Sequence, residues 1–115
     1  MHELSIADAL IEQVQRELHR AGQSGRVVRL ELAIGRLSGV HSDALRFAFE
    51  LICKGTAVEG AELAITEPKA VCSCRACGGR EEIDDLVCQC PNCESPDIAI
   101  EEGRDLLLQS IEVAD

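Results

Sequence analysis

Two cysteine pairs, Cys74-x2-Cys77 and Cys90-x2-Cys93, stand twelve residues apart in a chain of 115. Each C-x2-C can fold into a tight knuckle that offers two sulfurs on one side. A short intervening segment then brings the second knuckle against the first. Gly78 after the first pair and Pro91 inside the second supply the turn chemistry such knuckles use. Four thiolates leave no open coordination position, so Cys74, Cys77, Cys90 and Cys93 are expected to hold a structural Zn(II). Two disulfides would be the competing use of the same residues. Nothing near Met1 resembles a secretory leader, which disfavours them.

The cysteine pattern is larger than two pairs. Cys72-Ser73-Cys74-x2-Cys77 is matched by Cys88-Gln89-Cys90-x2-Cys93, so six sulfurs compete for four positions. The inner pairs are assigned to zinc, because only C-x2-C with Gly or Pro builds the knuckle. Cys72 and Cys88 are then expected close together beside the site, as spare thiols at strand ends or as a redox or second-metal pair. Cys53, at the end of an apolar helical pattern, reads as packed rather than reactive.

Of the three histidines, His19 reads as a surface residue of a helix and His41 lies in a loop. His2 sits next to Met1. If the chain starts there, the terminal amine, the intervening amide nitrogen and the imidazole can form fused chelate rings, a nitrogen-rich set that suits Ni(II) or Cu(II). By spacing alone, a frayed terminus explains a second-position histidine equally well.

The elements that must position these residues can be read from periodicity. Leu4, Ala7, Leu10, Ile11, Val14 and Leu18 recur at three- and four-residue steps and predict an amphipathic helix over 4–22. Ser5 and Asp8 are expected to start it as a capping box, and Gly22 to stop it. Residues 27–35 alternate as a strand, with Val28, Leu30, Leu32 and Ile34 on one face and Arg29 and Glu31 on the other. After a loop, Ser42 is the expected N-cap of a second helix. Its apolar face carries Leu45, Ala48, Leu51 and Ile52, and Gly55 ends it. Leu63 and Ile65 mark a further strand closed by Pro68. Strand patterns resume at 98–100 and 106–113, with a hairpin turn at Gly103-Arg104.

The cysteine-bearing segment contains few large apolar residues and should be loose without its metal. The predicted fold is therefore α+β: a small antiparallel sheet with two helices, and an inserted zinc-ribbon-like knuckle. The expected domains are 1–69 with 98–115, an α/β domain, and 70–97, which would bind zinc.

Composition narrows the function. The formal charge is −10 and only Phe47 and Phe49 are aromatic. Proteins that grip phosphates need a basic face, and readers of single strands usually stack bases on aromatics, so nucleic acid is not an expected partner. No apolar run reaches the length of a membrane span. Seven cysteines without a leader point to a reducing, cytoplasmic compartment. There is no G-x-x-x-x-G-K-[ST] loop for nucleotide hydrolysis and no nucleophile–base constellation, so a carrier is expected rather than an enzyme. Two other classes stay open on the cysteines alone: a rubredoxin-like electron carrier and a zinc-ribbon interaction module.

Taken together, Met1-His2-Glu3 opening a helix, the stretch Ile34-Gly35-Arg36-Leu37-Ser38-Gly39-Val40, the segment Leu45-x-Phe47-Ala48-Phe49-Glu50 and the paired C-x2-C motif resemble the HypA/HybF hydrogenase-maturation proteins over essentially the whole chain. The resemblance implies a nickel metallochaperone that delivers Ni(II) to the large subunit of NiFe-hydrogenase with a HypB-type GTPase. In some members it also implies supply of the urease maturation proteins. It assigns nickel to His2, with Met1 and Glu3 in support, and zinc to Cys74, Cys77, Cys90 and Cys93. Some members carry a carboxylate at position 41. This chain has His41, either a further nickel ligand or an ordinary loop histidine. Cys88 is an addition to the common pattern.

Overall fold

The computed structural model describes residues 2–114. Helix α1 (Glu3–Arg20) buries Ala7, Leu10, Ile11, Val14 and Leu18, the stripe that three- and four-residue steps dictate. It begins ahead of the expected cap: His2 is the N-cap, and Ser5 lies inside the first turn. Its end is as expected. Gly22 sits at φ +67, and paired bonds from Gly22 N–H to the His19 carbonyl and from Gln23 N–H to the Leu18 carbonyl close the last turn.

Strand β1 (Val27–Ile34) buries Leu30, Leu32 and Ile34, while Val28 is exposed and Val27 is buried instead. Helix α2 (Ser42–Ile52) has His41 as N-cap and packs Leu45, Ala48 and Phe49 inward. Leu51, assigned to the apolar face by the sequence, is 59% exposed, and Phe49 takes its place in the core. Strands β2 (Glu62–Thr66) and β6 (Leu106–Val113) flank β1 in a three-stranded sheet of order β2-β1-β6.

A second sheet, order β4-β3-β5, is built from β3 (Ala70–Cys74), β4 (Arg80–Ile83) and β5 (Ile98–Glu101). Both pairings are antiparallel: Cys72 lies opposite Glu81 on one side and Ile100 on the other. The segment expected to bury little thus has a small core of its own. Ala70, Cys72 and Ile83 are packed with Leu37, Val87, Ile98 and Ile100. Because β5 and β6 belong to different sheets, the turn at Gly103 redirects the chain and closes no hairpin.

The described chain divides into two compact units, 1–32 with 41–65 and 108–115, and 33–40 with 66–107. The division differs from the expected one because the 33–40 segment is pinned to the turn before β6. Gly35 N–H bonds to the Asp105 carbonyl and Leu37 N–H to the Gly103 carbonyl, at 2.9 and 2.7 Å. A Cβ at Gly35 would lie 2.1 Å from the Gly103 carbonyl carbon, so only glycine fits there.

Candidate metal centres

The first knuckle begins where β3 ends. Cys74 N–H bonds to the Gly79 carbonyl and Gly78 N–H to the Cys74 carbonyl. The same turn exposes Cys77 N–H to the Cys74 Sγ at 3.4 Å. The second knuckle repeats this arrangement. Cys90 N–H bonds to the Ser95 carbonyl and Glu94 N–H to the Cys90 carbonyl. Asn92 and Cys93 N–H groups approach the Cys90 Sγ at 3.4 and 3.5 Å. Backbone N–H groups aimed at sulfur favour the thiolate that a metal needs.

The four sulfurs of Cys74, Cys77, Cys90 and Cys93 lie within 4.8 Å of one another. Across the two knuckles, Cys74 and Cys93 are 3.6 Å apart and Cys77 and Cys90 are 3.8 Å apart. A tetrahedron with the zinc–sulfur bond length has edges of about 3.8 Å, so the two separations across the knuckles are those of a zinc site. Charge follows the geometry. The Cys77 N–H, with help from Cys93 and other neighbours, outweighs burial and lowers the Cys74 thiol to about 7. At Cys93 the Ser95 N–H favours the thiolate, but bonding to Cys74, burial and the other two thiols prevail and push it up to about 12. Crowding four sulfurs therefore leaves protons for a metal to displace.

The two remaining thiols of the C-x-C-x2-C pattern differ in burial. Cys72 is fully buried in the middle of β3, and burial, followed by repulsion from Cys90 and Cys74, raises its thiol above the ordinary range. It is a core residue, where a strand end was expected. Cys88 is exposed. Cys53 is buried with its Sγ 3.7 Å from the Glu50 carbonyl, as a packed cysteine should be.

A second constellation lies at the starts of the two helices. His2 and His41 are the N-caps of α1 and α2, both in extended backbone conformation and both exposed. Glu3 joins them: its Oε2 accepts a bond from His41 N–H at 3.3 Å. Its own N–H and that of His41, against the opposing effect of burial, hold the Glu3 carboxyl below the usual carboxylate range. Helix N-termini stabilise negative charge in the same way. Glu3 is thus an ionised oxygen donor bonded to the backbone of the second cap. Among the described residues, only Cys74, Cys77, Cys90 and Cys93 bring their ligand atoms close enough together to share an ion; His2, Glu3 and His41 do not. Met1, assigned to the same site, lies outside the described residues. His19 is exposed on α1, as expected.

Residues 1–113 match the family described as hydrogenase/urease nickel incorporation, metallochaperone, HypA. This chain belongs to the HypA family.

Among curated relatives it is 42% identical over 113 residues to the hydrogenase maturation factor HypA of Chlorobium limicola, covering 98% of this chain and 97% of that one. It is 37% identical over 113 residues to HybF of Escherichia coli, covering 98% and 99%. The solution structure of the Ni metallochaperone HypA from Helicobacter pylori superposes with a TM-score of 0.69 at 25% identity, covering 98% of this chain and 97% of that one.

Membership of the HypA family gives the chain a role in nickel incorporation during hydrogenase maturation. It supersedes the rubredoxin-like electron carrier and the zinc-ribbon interaction module that four cysteines alone left open. The α+β expectation also holds, with the four-cysteine cluster as its knuckle. Among the described residues, no helix is long and apolar enough to cross a membrane. What residue types could not reveal is the ring of backbone donors at Cys77, Asn92 and Cys93, since N–H groups leave no mark on composition.

Proposed function

We propose that this HypA-family protein carries Ni(II) on the His2 side of the molecule and hands it to the large subunit of NiFe-hydrogenase. The observation that carries this reading is Glu3, whose carboxylate meets the N-cap of α2 while it follows the N-cap histidine of α1. In this reading His2 is the principal ligand, with the Met1 amine, Glu3 and His41 completing the set. Imidazole suits Ni(II) at least as well as the carboxylate found at position 41 in some relatives. The zinc of Cys74, Cys77, Cys90 and Cys93 is structural: closed four-sulfur coordination offers a substrate no open position. Nickel is therefore cargo of the first unit, and zinc a fixture of the second.

Transfer needs a partner, because the chain has no phosphate-binding loop of its own. A HypB-type GTPase is the proposed source of directionality, in the cytoplasm, with the urease maturation proteins as further recipients. The protein itself catalyses nothing.

The deciding experiment is titration of Zn-loaded protein with Ni(II), followed by absorption and metal analysis. One nickel bound beside one retained zinc is expected. Nickel that displaces zinc would place the cargo on the cysteines and overturn the reading.

A further inference from the structure

The segment Leu45-x-Phe47-Ala48-Phe49-Glu50 carries the only two aromatic residues of the chain, and α2 sends them in opposite directions. Phe49 is 2% exposed in the core, whereas Phe47 is 64% exposed. Leu51, one turn on, is 59% exposed. Single apolar residues on a surface are ordinary, but these two share a helix face with exposed Ala44. Ala44, Phe47 and Leu51 follow steps of three and four, the a and d positions of a heptad. Leu45, Ala48 and Phe49 bury one apolar face of α2, and among the described residues nothing covers the other.

Charge marks what this second face is built to meet. In the same heptad Asp43 and Glu50 take successive g positions, two turns or about 10 Å apart along one flank. Both are exposed, and among the described residues neither is in an ion pair. The one cation of α2, Arg46, is engaged elsewhere: its guanidinium donates to the Leu63 carbonyl at 2.6 Å. Acidic g positions beside an apolar a/d seam select a helix with basic residues along its flank. They disfavour other occupants. A second copy paired antiparallel would set Asp43 against Glu50, and the phosphates of nucleic acid or of a lipid surface would meet the same carboxylates.

We propose that α2 docks a helix of a partner protein, apolar at its own a and d positions and bearing Lys or Arg opposite Asp43 and Glu50. Phe47 is the anchor, since a few residues, aromatic ones prominent among them, carry most of an interface's binding energy. Ala44 and Leu51 flank it along the seam, and the small side chain of Ala44 leaves room for a large one on the partner helix. His41 is the N-cap of α2, so a helix docked here lies along the element that begins with a proposed nickel ligand. The proposal stands on α2 alone and is independent of the nickel reading.

The test uses the zinc-loaded full chain and two labelled synthetic helical peptides with leucine at a and d, one with lysine and one with glutamate at e and g. Fluorescence anisotropy reads binding, and circular dichroism checks that each variant is folded. Wild type should bind the lysine peptide and not the glutamate peptide. Phe47→Ala should weaken that binding on the order of tenfold, and Leu51→Ala by less. Leu107→Ala, which removes an exposed leucine of β6, should change nothing. Asp43→Lys combined with Glu50→Lys should invert the preference to the glutamate peptide, although the chain stays acidic overall. Neither misfolding nor diffuse attraction to an acidic surface could do that. A wild type that binds neither peptide overturns the proposal, as does lysine-peptide binding indifferent to Phe47 or to the paired substitution. So does concentration-dependent dimerisation abolished by Phe47→Ala, which would give the face to a second copy.

Discussion

The two metal constellations differ in almost every respect that governs how long an ion stays. The cysteine site is made of four like donors whose spacing already matches a tetrahedron. Each knuckle aims backbone N–H groups at its sulfurs. The proposed N-terminal site is made of unlike donors, His2, Glu3 and His41, and its two histidines sit at exposed helix caps. Among the described residues, the hydrogen bond that links them runs from the His41 backbone N–H to the Glu3 carboxylate. Helix N-termini moreover carry partial positive charge, which favours the Glu3 carboxylate and opposes a cation. A closed cage of four thiolates retains its ion, whereas a loose set beside two positive helix ends can release it. In the proposed function, one chain thus separates an ion that it keeps from an ion that it passes on.

The largest break in that comparison comes from the cage. Cys77→Ala or Cys93→Ala should lose zinc and unfold the segment 70–97, because structural zinc contributes on the order of 10 kcal/mol to domains of this kind. The helices α1 and α2 should persist, since their cores are Leu, Ile, Val, Ala and Phe. Metal analysis and circular dichroism together check this. A full equivalent of zinc retained by both variants would mean that Cys88 substitutes as a ligand.

At the other site, His2→Ala should abolish specific nickel binding while fold and zinc content stay unchanged, because the exposed side chain contributes nothing to the core. Isothermal titration with Ni(II) is the measurement. Undiminished affinity would move the cargo site away from the start of α1.

Protons should discriminate between the two sites as well. Nickel affinity is expected to rise with pH, because protons compete with nickel for nitrogen donors. Glu3, already held below the usual carboxylate range, stays ionised throughout that rise and adds no slope. A residue placed before Met1 should remove the amine from the chelate and flatten the upper part of the curve. Extended and native proteins with equal affinity at pH 8.5 would leave His2, Glu3 and His41 as a side-chain-only site.

How far each site is legible in the sequence reflects the same contrast. Cysteine knuckles are local: two residues, a fixed gap and a turn former determine the geometry, so Cys74, Cys77, Cys90 and Cys93 can be read directly. The bond from His41 to Glu3 spans 38 positions and forms only when α1 and α2 begin at the same place, which no local pattern encodes. The second sheet escapes the sequence for a related reason. Its core relies on Cys72, a residue that invites a chemical reading when its role is to fill space beside Ala70 and Ile83. The cap of α1 is displaced because Ser5 and Asp8 carry a capping signature, whereas the helix begins at Glu3, whose carboxylate lies at the first turn.

The smallest expected effect refines the retaining side of the comparison, because the two knuckles are not equally relaxed. Gly78 and Glu94 occupy equivalent positions, four residues after Cys74 and Cys90, and both have left-handed backbone, φ +74 and φ +63. Each donates its N–H to the carbonyl of the cysteine that opens its knuckle, at 3.0 and 2.9 Å. Glycine adopts this conformation freely, whereas for a residue with a Cβ it costs roughly 1 kcal/mol. Glu94→Gly should therefore stabilise the zinc unit by about 0.5–1 kcal/mol, even after the extra freedom it gives the unfolded chain. Gly78→Ala should destabilise it by about 1 kcal/mol through backbone strain alone, since the added methyl would meet no atom within 4 Å. Competition for zinc with a chromophoric chelator should rank the proteins Glu94→Gly, wild type, Gly78→Ala from slowest to fastest release. Nickel affinity at the helix starts should be the same in all three. A change in nickel affinity that followed the zinc ranking would show that the two sites are coupled, and the separation of kept ion from passed ion would have to be abandoned.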